Sequence, residues 1–95
     1  MPALTLRYHP RVVADDVPKL DGSVRSRVRK AIESKLTTQP EDFAKPLAYT
    51  RQGLWSLRVG PIRVIFALRG EDVWILRIGH RREVYRHLED RRVPE

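Results

Sequence analysis

The stretch that decides the fold is residues 54–68, LWSLRVGPIRVIFAL. Its first six residues alternate between apolar and polar side chains, which is typical of a strand with one buried face. The apolar set is Trp55, Leu57 and Val59, and the polar set is Ser56 and Arg58. Gly60 and Pro61 suit the two central positions of a type II′ turn. Residues 62–68 are nearly all apolar, as in a strand covered on both faces, so the stretch predicts a β-hairpin.

Further strands are predicted on either side of this hairpin. Residues 73–78 form the last strand, after a turn at residues 69–72, and residues 3–8 form the first. Residues 37–53 contain two prolines and few periodic apolar residues, so we expect a loop with at most one helical turn near residues 41–43.

Helices are predicted between the first strand and that loop, and again at the C-terminus. A short helix begins at His9-Pro10 and ends or kinks near Val17, because Pro18 disfavours a helical residue before it. A longer helix begins after an Asp21 N-cap and ends near Leu36. Its buried stripe is Val24, Val28, Ala31, Ile32 and Leu36. A last short helix is expected over residues 83–90.

The resulting order, β-α-α-β-β-β-α, predicts an α+β fold. We expect a curved antiparallel sheet of about four strands, with two N-terminal helices on one face and a short C-terminal helix. Residues 1–95 are expected to form a single domain, because so short a chain rarely supports two cores.

Composition excludes several classes of site. The chain has no cysteine, so it has neither a disulfide framework nor a thiolate metal site. It has no glycine-rich phosphate loop, and its three histidines lack a metal-ligand spacing, so we expect no cofactor and no metal. No apolar run has membrane length and residues 1–8 lack the apolar region of a signal peptide, so we expect a cytoplasmic protein.

The charge is the first indication of function. The formal net charge is +7, from 15 arginines and four lysines against 12 acidic residues. Arginine offers a planar, permanently charged fork that matches phosphate geometry. A nucleic acid is therefore the favoured partner, with a general arginine bias of the genome as the alternative explanation.

Several of these cations are predicted to meet on one face of the sheet. They are Arg58 and Arg63 on the hairpin, Arg77 on the last strand, and His80, Arg81 and Arg82 after it, with Tyr85 close by. The alternative for Arg63 is a structural ion pair with Glu71, Glu83 or a similar acid. A surface of this kind can cleave RNA without a metal, because the RNA supplies its own 2′-OH nucleophile and the protein must only orient it, move protons and stabilise charge.

The hairpin stretch, followed by ILRIGHRREVYR at residues 75–86, resembles the C-terminal half of RelE-like toxins of the RelE/ParE superfamily. KLDGSVRSRVRKAIESKL at residues 19–36 and KPL at residues 45–47 fit the N-terminal half. The resemblance implies a RelE-like fold over the whole chain. It also implies the toxin of a type II toxin–antitoxin system, a ribosome-dependent and metal-independent mRNA endonuclease that inhibits translation and leaves a 2′,3′-cyclic phosphate and a 5′-OH. The implied partners are a cognate antitoxin, the ribosome and mRNA.

The resemblance also assigns roles to residues. Arg63 corresponds to a phosphate-stabilising arginine, and Arg81 and Tyr85 to two further catalytic positions. Well-known members carry two lysines, one of them the proposed general base, where this chain has Ser56 and Arg58. Either His80 takes over proton transfer, as a histidine can near neutral pH, or this member is a slow enzyme. The residues expected to bind RNA are Arg58, Arg77, Arg82 and Arg86.

Two alternatives remain at this point. One is a ParE-like toxin with the same fold that inhibits DNA gyrase without nuclease activity. The loss of both lysines leaves it open, although the presence of Arg63, Arg81 and Tyr85 together favours the nuclease. The other is a basic RNA- or ribosome-binding module without activity.

Overall fold

The computed structural model describes residues 3–48, 50 and 52–94 and contains a five-stranded sheet. The strands are β1 Thr5–Tyr8, β2 Lys45–Pro46, β3 Leu54–Val59, β4 Ile62–Arg69 and β5 Asp72–His80. Their order in the sheet is β1-β5-β4-β3-β2. Strand β1 pairs with β5 in parallel, and the other pairs are antiparallel. The predicted α+β class with a curved sheet is confirmed.

The helical part follows the predicted pattern. A π-helical turn at Val12–Asp16 continues as a 3-10 turn at Val17–Lys19, so the geometry changes next to Pro18 as expected. Helix α1 spans Gly22–Lys35 and helix α2 spans Pro40–Phe43. Asp21 stands at the N-cap of α1, although its side chain makes no capping hydrogen bond. Among the described residues, none of the helices is long and apolar enough to cross a membrane.

The sheet carries a core on each face. The main core lies under α1, where the predicted stripe packs against β3, β4 and β5; Val28, Ile32 and Leu36 are buried there. The stacked rings of Trp55 and Phe66, opposite each other on β3 and β4, have centroids 6.5 Å apart in this layer. A smaller outer core covers the other face and consists of Leu54, Ile65, Ala67, Leu76 and Val84.

Two predictions about the sheet are wrong in detail. The sheet has a fifth strand, β2, within the predicted loop, where Lys45 and Pro46 lie opposite Ser56 and Trp55. The sheet is also not wholly antiparallel, because β1 runs parallel to β5. Strand β1 is joined to the rest of the sheet through the helices and not through a tight turn, and such a crossover permits the parallel direction.

The predicted C-terminal helix at residues 83–90 is wrong. Residues 81–87 form successive turns and only Leu88–Asp90 form a 3-10 turn, preceded by His87 in the left-handed region at φ +53°. Long-range contacts determine this path, because Val84 is fully buried in the outer core and Arg91 reaches back to Asp16.

The contact between Asp16 and Arg91 is the buried ion pair of the fold. Arg91 donates to both carboxylate oxygens, with Nη1–Oδ2 at 2.8 Å and Nη2–Oδ1 at 2.9 Å. Nη1 also donates to the Leu76 carbonyl at 2.8 Å, and Asp16 Oδ2 accepts from the Ile78 amide at 3.0 Å. Hydrogen bonding to Asp16 raises the pKa of Arg91 above its ordinary value. Because the side chains are only 4% and 8% exposed, neither charge is stabilised by water and each depends on the other.

We expect Arg91→Met to lower the free energy of unfolding by about 3–5 kcal/mol, because it leaves the Asp16 charge buried and unpaired. Arg92→Met is the matched control, since Arg92 is exposed and, among the described residues, bonds only to the Glu89 carbonyl at 3.3 Å. It should change the free energy of unfolding by less than about 0.5 kcal/mol. Urea unfolding of both variants measures this. Equal effects would show that the pair contributes no more than a surface arginine.

Candidate functional site

The β3–β4 hairpin brings two arginines directly opposite each other. Gly60 has a φ of +60°, as the first central position of the predicted turn requires, and the two-residue turn pairs Val59 with Ile62. The next pair along the ladder is Arg58 and Arg63. Since paired residues of an antiparallel ladder share a face, both guanidinium groups project from the same side of the sheet.

We call the side of the sheet opposite α1 the site face; it carries Ser56, Arg58, Arg63 and Ile65. The predicted alternation along β3 is confirmed, because Leu57 and Val59 are buried in the main core while Arg58 is exposed. The salt bridges among the described residues are Arg7–Asp72, Arg11–Asp15, Arg29–Glu33 and Arg91–Asp16. Within residues 3–48, 50 and 52–94, therefore, Arg58 and Arg63 have no carboxylate partner, and the ion pair considered for Arg63 is not observed.

Tyr85 lies over the same face. Its Oη is 3.4 Å from Ser56 Oγ, a contact in which either hydroxyl can donate. Ser56 is buried, whereas 44% of Tyr85 is exposed, so the phenol covers the serine and stays open to solvent. Ser56 and Arg58 are two residues apart on one strand, a spacing of about 7 Å. The tyrosine hydroxyl and the arginine pair therefore border one exposed area.

Arg77 reaches this side of the sheet through a β-bulge. The register between β4 and β5 shifts at Ile65/Phe66, so that Ile65 pairs with Arg77 and Phe66 with Ile75. Leu76 is the extra residue on β5 and packs in the outer core. Arg77 is half-buried, and its Nη1 donates to the Arg86 carbonyl.

The same bulge moves His80 away from the arginines. After the shift, Val64 pairs with Ile78, Arg63 with Gly79 and Ile62 with His80. Ile62 belongs to the main core, so its partner His80 lies on the side opposite Arg63. His80 is exposed there, and its Nδ1 accepts from the Arg82 amide at 3.4 Å. Thus Arg58, Arg63, Arg77 and Tyr85 come together, and His80 does not join them.

The three remaining predicted residues lie in the turns after β5. Arg81, Arg82 and Arg86 are all exposed. The Arg81 amide donates to the Pro61 carbonyl at 3.0 Å, which places Arg81 at the tip of the hairpin that carries Arg63. Among the described residues, no three histidine, aspartate or glutamate side chains are grouped so that they could hold a metal ion.

Sequence reasoning missed the role of Asp16 and Arg91. The two residues are 75 positions apart, and each stands among other charged residues in a stretch that resembles a solvated surface. The one available indication was that Asp16 falls on the apolar side of the first helical segment, four residues after the buried Val12.

The comparisons with known proteins agree with this geometry. The family model described as ParE toxin of type II toxin–antitoxin system, parDE, matches residues 6–85. A chain of the toxin–antitoxin complex RelBE2 from Mycobacterium tuberculosis is 28% identical, with a TM-score of 0.76 over 85% of this chain and 94% of that chain. A mutant of E. coli toxin RelE in the free state is 19% identical, with a TM-score of 0.67 over 94% of this chain and 93% of that chain.

A chain of the RelB-RelE antitoxin–toxin complex from Methanococcus jannaschii is also similar, with 19% identity and a TM-score of 0.63 over 84% of this chain and 95% of that chain. No curated protein is a significant sequence match. The predicted RelE-like fold is confirmed.

We expect Arg63→Gln to keep the free energy of unfolding or to raise it by about 0.2–1 kcal/mol, because like charges directly opposite each other in a sheet are destabilising. Arg7→Gln is the control; it removes the Arg7–Asp72 ion pair, with Nε–Oδ2 at 3.1 Å, and should lower stability slightly. Urea unfolding at low and high salt measures both, and the gain should shrink at high salt. A loss of more than about 1 kcal/mol for Arg63→Gln would reveal a structural partner for this guanidinium.

Proposed function

We propose a nuclease function from one premise: the chain belongs to the ParE toxin family of type II toxin–antitoxin systems, within the RelE/ParE superfamily. The proposed activity is ribosome-dependent cleavage of mRNA without a metal, which inhibits translation. The observation that carries it is the pairing of Arg58 with Arg63 beside the Tyr85 hydroxyl on one exposed face. The similarity to proteins named RelE and RelBE2 supports the same activity.

In the proposed reaction the RNA 2′-oxygen attacks the adjacent phosphorus and the bond to the 5′-oxygen breaks. The proton of the 2′-OH goes to a base, and an acid gives a proton to the departing 5′-oxygen. The products are a 2′,3′-cyclic phosphate and a 5′-OH. Arg63, with Arg81 beside it at the hairpin tip, stabilises the charge that develops on the phosphorane.

Proton transfer falls to Tyr85 in this scheme. Neither residue at the positions of the family lysines can act as a base readily, since Ser56 is buried beneath the tyrosine and an arginine holds its proton too tightly. His80 keeps its predicted role as a candidate base, but its position across the sheet from Arg63 disfavours direct contact with the same phosphate. What supports this role for Tyr85 is the contact of its hydroxyl with Ser56, two residues from Arg58 on the same strand.

Phosphate binding is the proposed role of the remaining cations. Arg58, Arg82 and Arg86 are exposed, and the net charge of +7 attracts ribosomal and messenger RNA.

The toxin family implies an antitoxin partner. An acidic, amphipathic segment that folds on contact would neutralise this surface. A half-open apolar groove of about 450 Å³ behind the sheet, whose lining includes the 61% exposed Val13, offers such a segment an apolar contact. We propose that the protein acts in the cytoplasm.

A ParE-like toxin that inhibits gyrase is the second candidate. Two observations favour it: the family model is that of ParE toxins, and Ser56 and Arg58 stand in place of the two lysines. A site of this second kind binds its target and does not require the Tyr85 hydroxyl.

We expect Arg63→Ala to reduce single-turnover cleavage of mRNA on ribosomes by about 100-fold or more, because one charge-stabilising donor is lost. Tyr85→Phe removes only a hydroxyl and should cost a similar factor if Tyr85 transfers a proton. If Tyr85 stacks on a base, phenylalanine should be nearly as active. His80→Ala should be milder than either change.

Arg29→Ala is the matched control for this series, since Arg29 is an exposed arginine of α1 and lies on the other side of the sheet. Circular dichroism verifies folding, and the cut ends are mapped chemically. A 3′-OH and a 5′-phosphate at the cut would exclude attack by the 2′-OH. Full toxicity of folded Arg63→Ala and Tyr85→Phe proteins, together with gyrase-linked DNA breaks, would favour the second candidate.

Binding to ribosomes should weaken steeply with salt, because each phosphate contact contributes about 0.7–0.9 to the slope of log K against log salt. Arg82→Gln should reduce that slope by about one contact, and Arg29→Gln should leave it unchanged. Titrations between low and physiological salt measure both. A wild-type slope near zero would show that the arginine excess does not serve RNA binding.

A further inference from the structure

The candidate site is assembled from two parts of different rigidity. Arg58 and Arg63 stand on a paired hairpin, whereas Tyr85 stands in the turns after β5, where residues 85–87 are all exposed. On the N-terminal side of Tyr85, the turns are held by the Arg81 amide on the Pro61 carbonyl and by the fully buried Val84. The position of the Tyr85 hydroxyl therefore also depends on the contacts that fix the chain on the C-terminal side of Tyr85.

The first contact on that side comes from Arg77. Its guanidinium donates to the carbonyl of Arg86, the residue next to Tyr85. This carbonyl precedes His87, whose left-handed conformation is uncommon for a residue with a side chain. The Arg77 bond therefore fixes a peptide group in a part of the chain that has no regular helix to order it.

Arg77 in turn is held from both sides along its own strand. Arg91 Nη1 donates to the carbonyl of Leu76, and the Asp16 carboxylate accepts from the amide of Ile78, at 2.8 and 3.0 Å. These peptide groups lie beyond Ile75, where β1 has ended, and the ion pair bonds to them as a neighbouring strand would. The bulge that turns Arg77 toward Arg86 thus depends on the buried pair.

We propose that the Asp16–Arg91 ion pair is a positioning device for the proposed nuclease site, holding the Tyr85 hydroxyl in place through Arg77 and the Arg86 carbonyl. The proposal rests on the proposed function and assigns Arg77 to positioning, in place of the predicted contact with RNA. Asp16, Arg77 and Arg91 touch neither the RNA nor the reacting atoms. Displacement of a reacting group by about 1 Å can cost on the order of 100-fold in rate, so a loosened Tyr85 should slow cleavage without weakening binding.

The test uses the full chain and two conservative variants, and circular dichroism verifies that each is folded. Arg77→Gln cuts the middle contact and leaves the ion pair intact. Arg91→Lys keeps the charge and loses the two-pronged contact. Each should lower the single-turnover rate on ribosomes by about 10- to 100-fold with ribosome affinity within about twofold of wild type. Arg92→Lys, next to Arg91 but exposed, should change neither.

A double-mutant cycle separates positioning from general stability. Combined with Tyr85→Phe, either variant should slow cleavage by much less than the product of the separate effects, because the group being positioned is already absent. Full multiplication of the effects would overturn the proposal. The proposal would also be overturned if Arg77→Gln lowered the ribosome affinity and the slope of log K against log salt, because this would show that Arg77 binds RNA directly.

Amide hydrogen exchange gives a readout that does not depend on nuclease activity. Exchange of the Arg86 amide, which bonds to the Glu83 carbonyl, should speed up in both variants, while that of the Val84 amide and of the β3–β4 hairpin stays at the wild-type rate. If wild-type protein cleaves no RNA, the proposed function fails, and these exchange rates still decide whether the ion pair holds the Tyr85 segment. Unchanged exchange at Arg86 would overturn the positioning role.

Discussion

Strand β5 continues for five residues past Ile75, the last residue that pairs with β1, and the structure depends on how its free edge is satisfied. Buried peptide groups without partners cost about as much as lost hydrogen bonds. Asp16 and Arg91 supply those partners with side chains, and they bring the first helical segment and the C-terminal tail to the same point. One ion pair therefore joins three parts of the chain that are distant in sequence. Its desolvation is offset only because both charges and both peptide groups are matched.

The arginine pair on the hairpin contrasts with this ion pair, because it places two like charges next to each other. Arg58 and Arg63 face each other and lack a carboxylate among the described residues, so only water and dissolved ions screen their repulsion in the free protein. In the proposed function, this arrangement lowers the stability of the free protein and favours binding of a phosphate, a trade-off common at functional sites. The buried Ser56 and the exposed Tyr85 beside them bring a hydroxyl to the same area.

The hairpin and the helix α1 could be predicted from sequence because each depends on a local pattern. The alternation through Leu57 and Val59 placed Arg58 correctly, and the stripe through Val28 and Ile32 identified the buried face of α1. The position of His80 could not be predicted in this way. One extra residue at the bulge reverses the alternation of side chains between the two faces of β5. The sequence around Leu76 does not show which strand carries the bulge.

The partners of Arg91 were equally hidden, because a contact across 75 positions leaves no periodicity in the sequence. The direction of β1 was missed for a related reason. Its partner is the last strand and is reached only after the whole helical layer, so no turn in the sequence reports how the two strands run. Local patterns therefore predicted the site residues on the hairpin, whereas the positions of the surrounding residues depend on tertiary contacts that the sequence does not show.

Strand β2 has a consequence for how copies of this chain meet each other. It forms one edge of the sheet, it is two residues long, and one of the two is Pro46, which has no amide hydrogen to offer a further strand. Its other residue, Lys45, is an exposed cation that would lie close to its own counterpart in a symmetric edge-to-edge contact. Short strands, proline and lysine at an edge are means by which sheet proteins resist aggregation. At high concentration this side of the molecule should therefore resist fibrillar self-association, although the β4 strand two positions inward is among the most apolar segments of the chain.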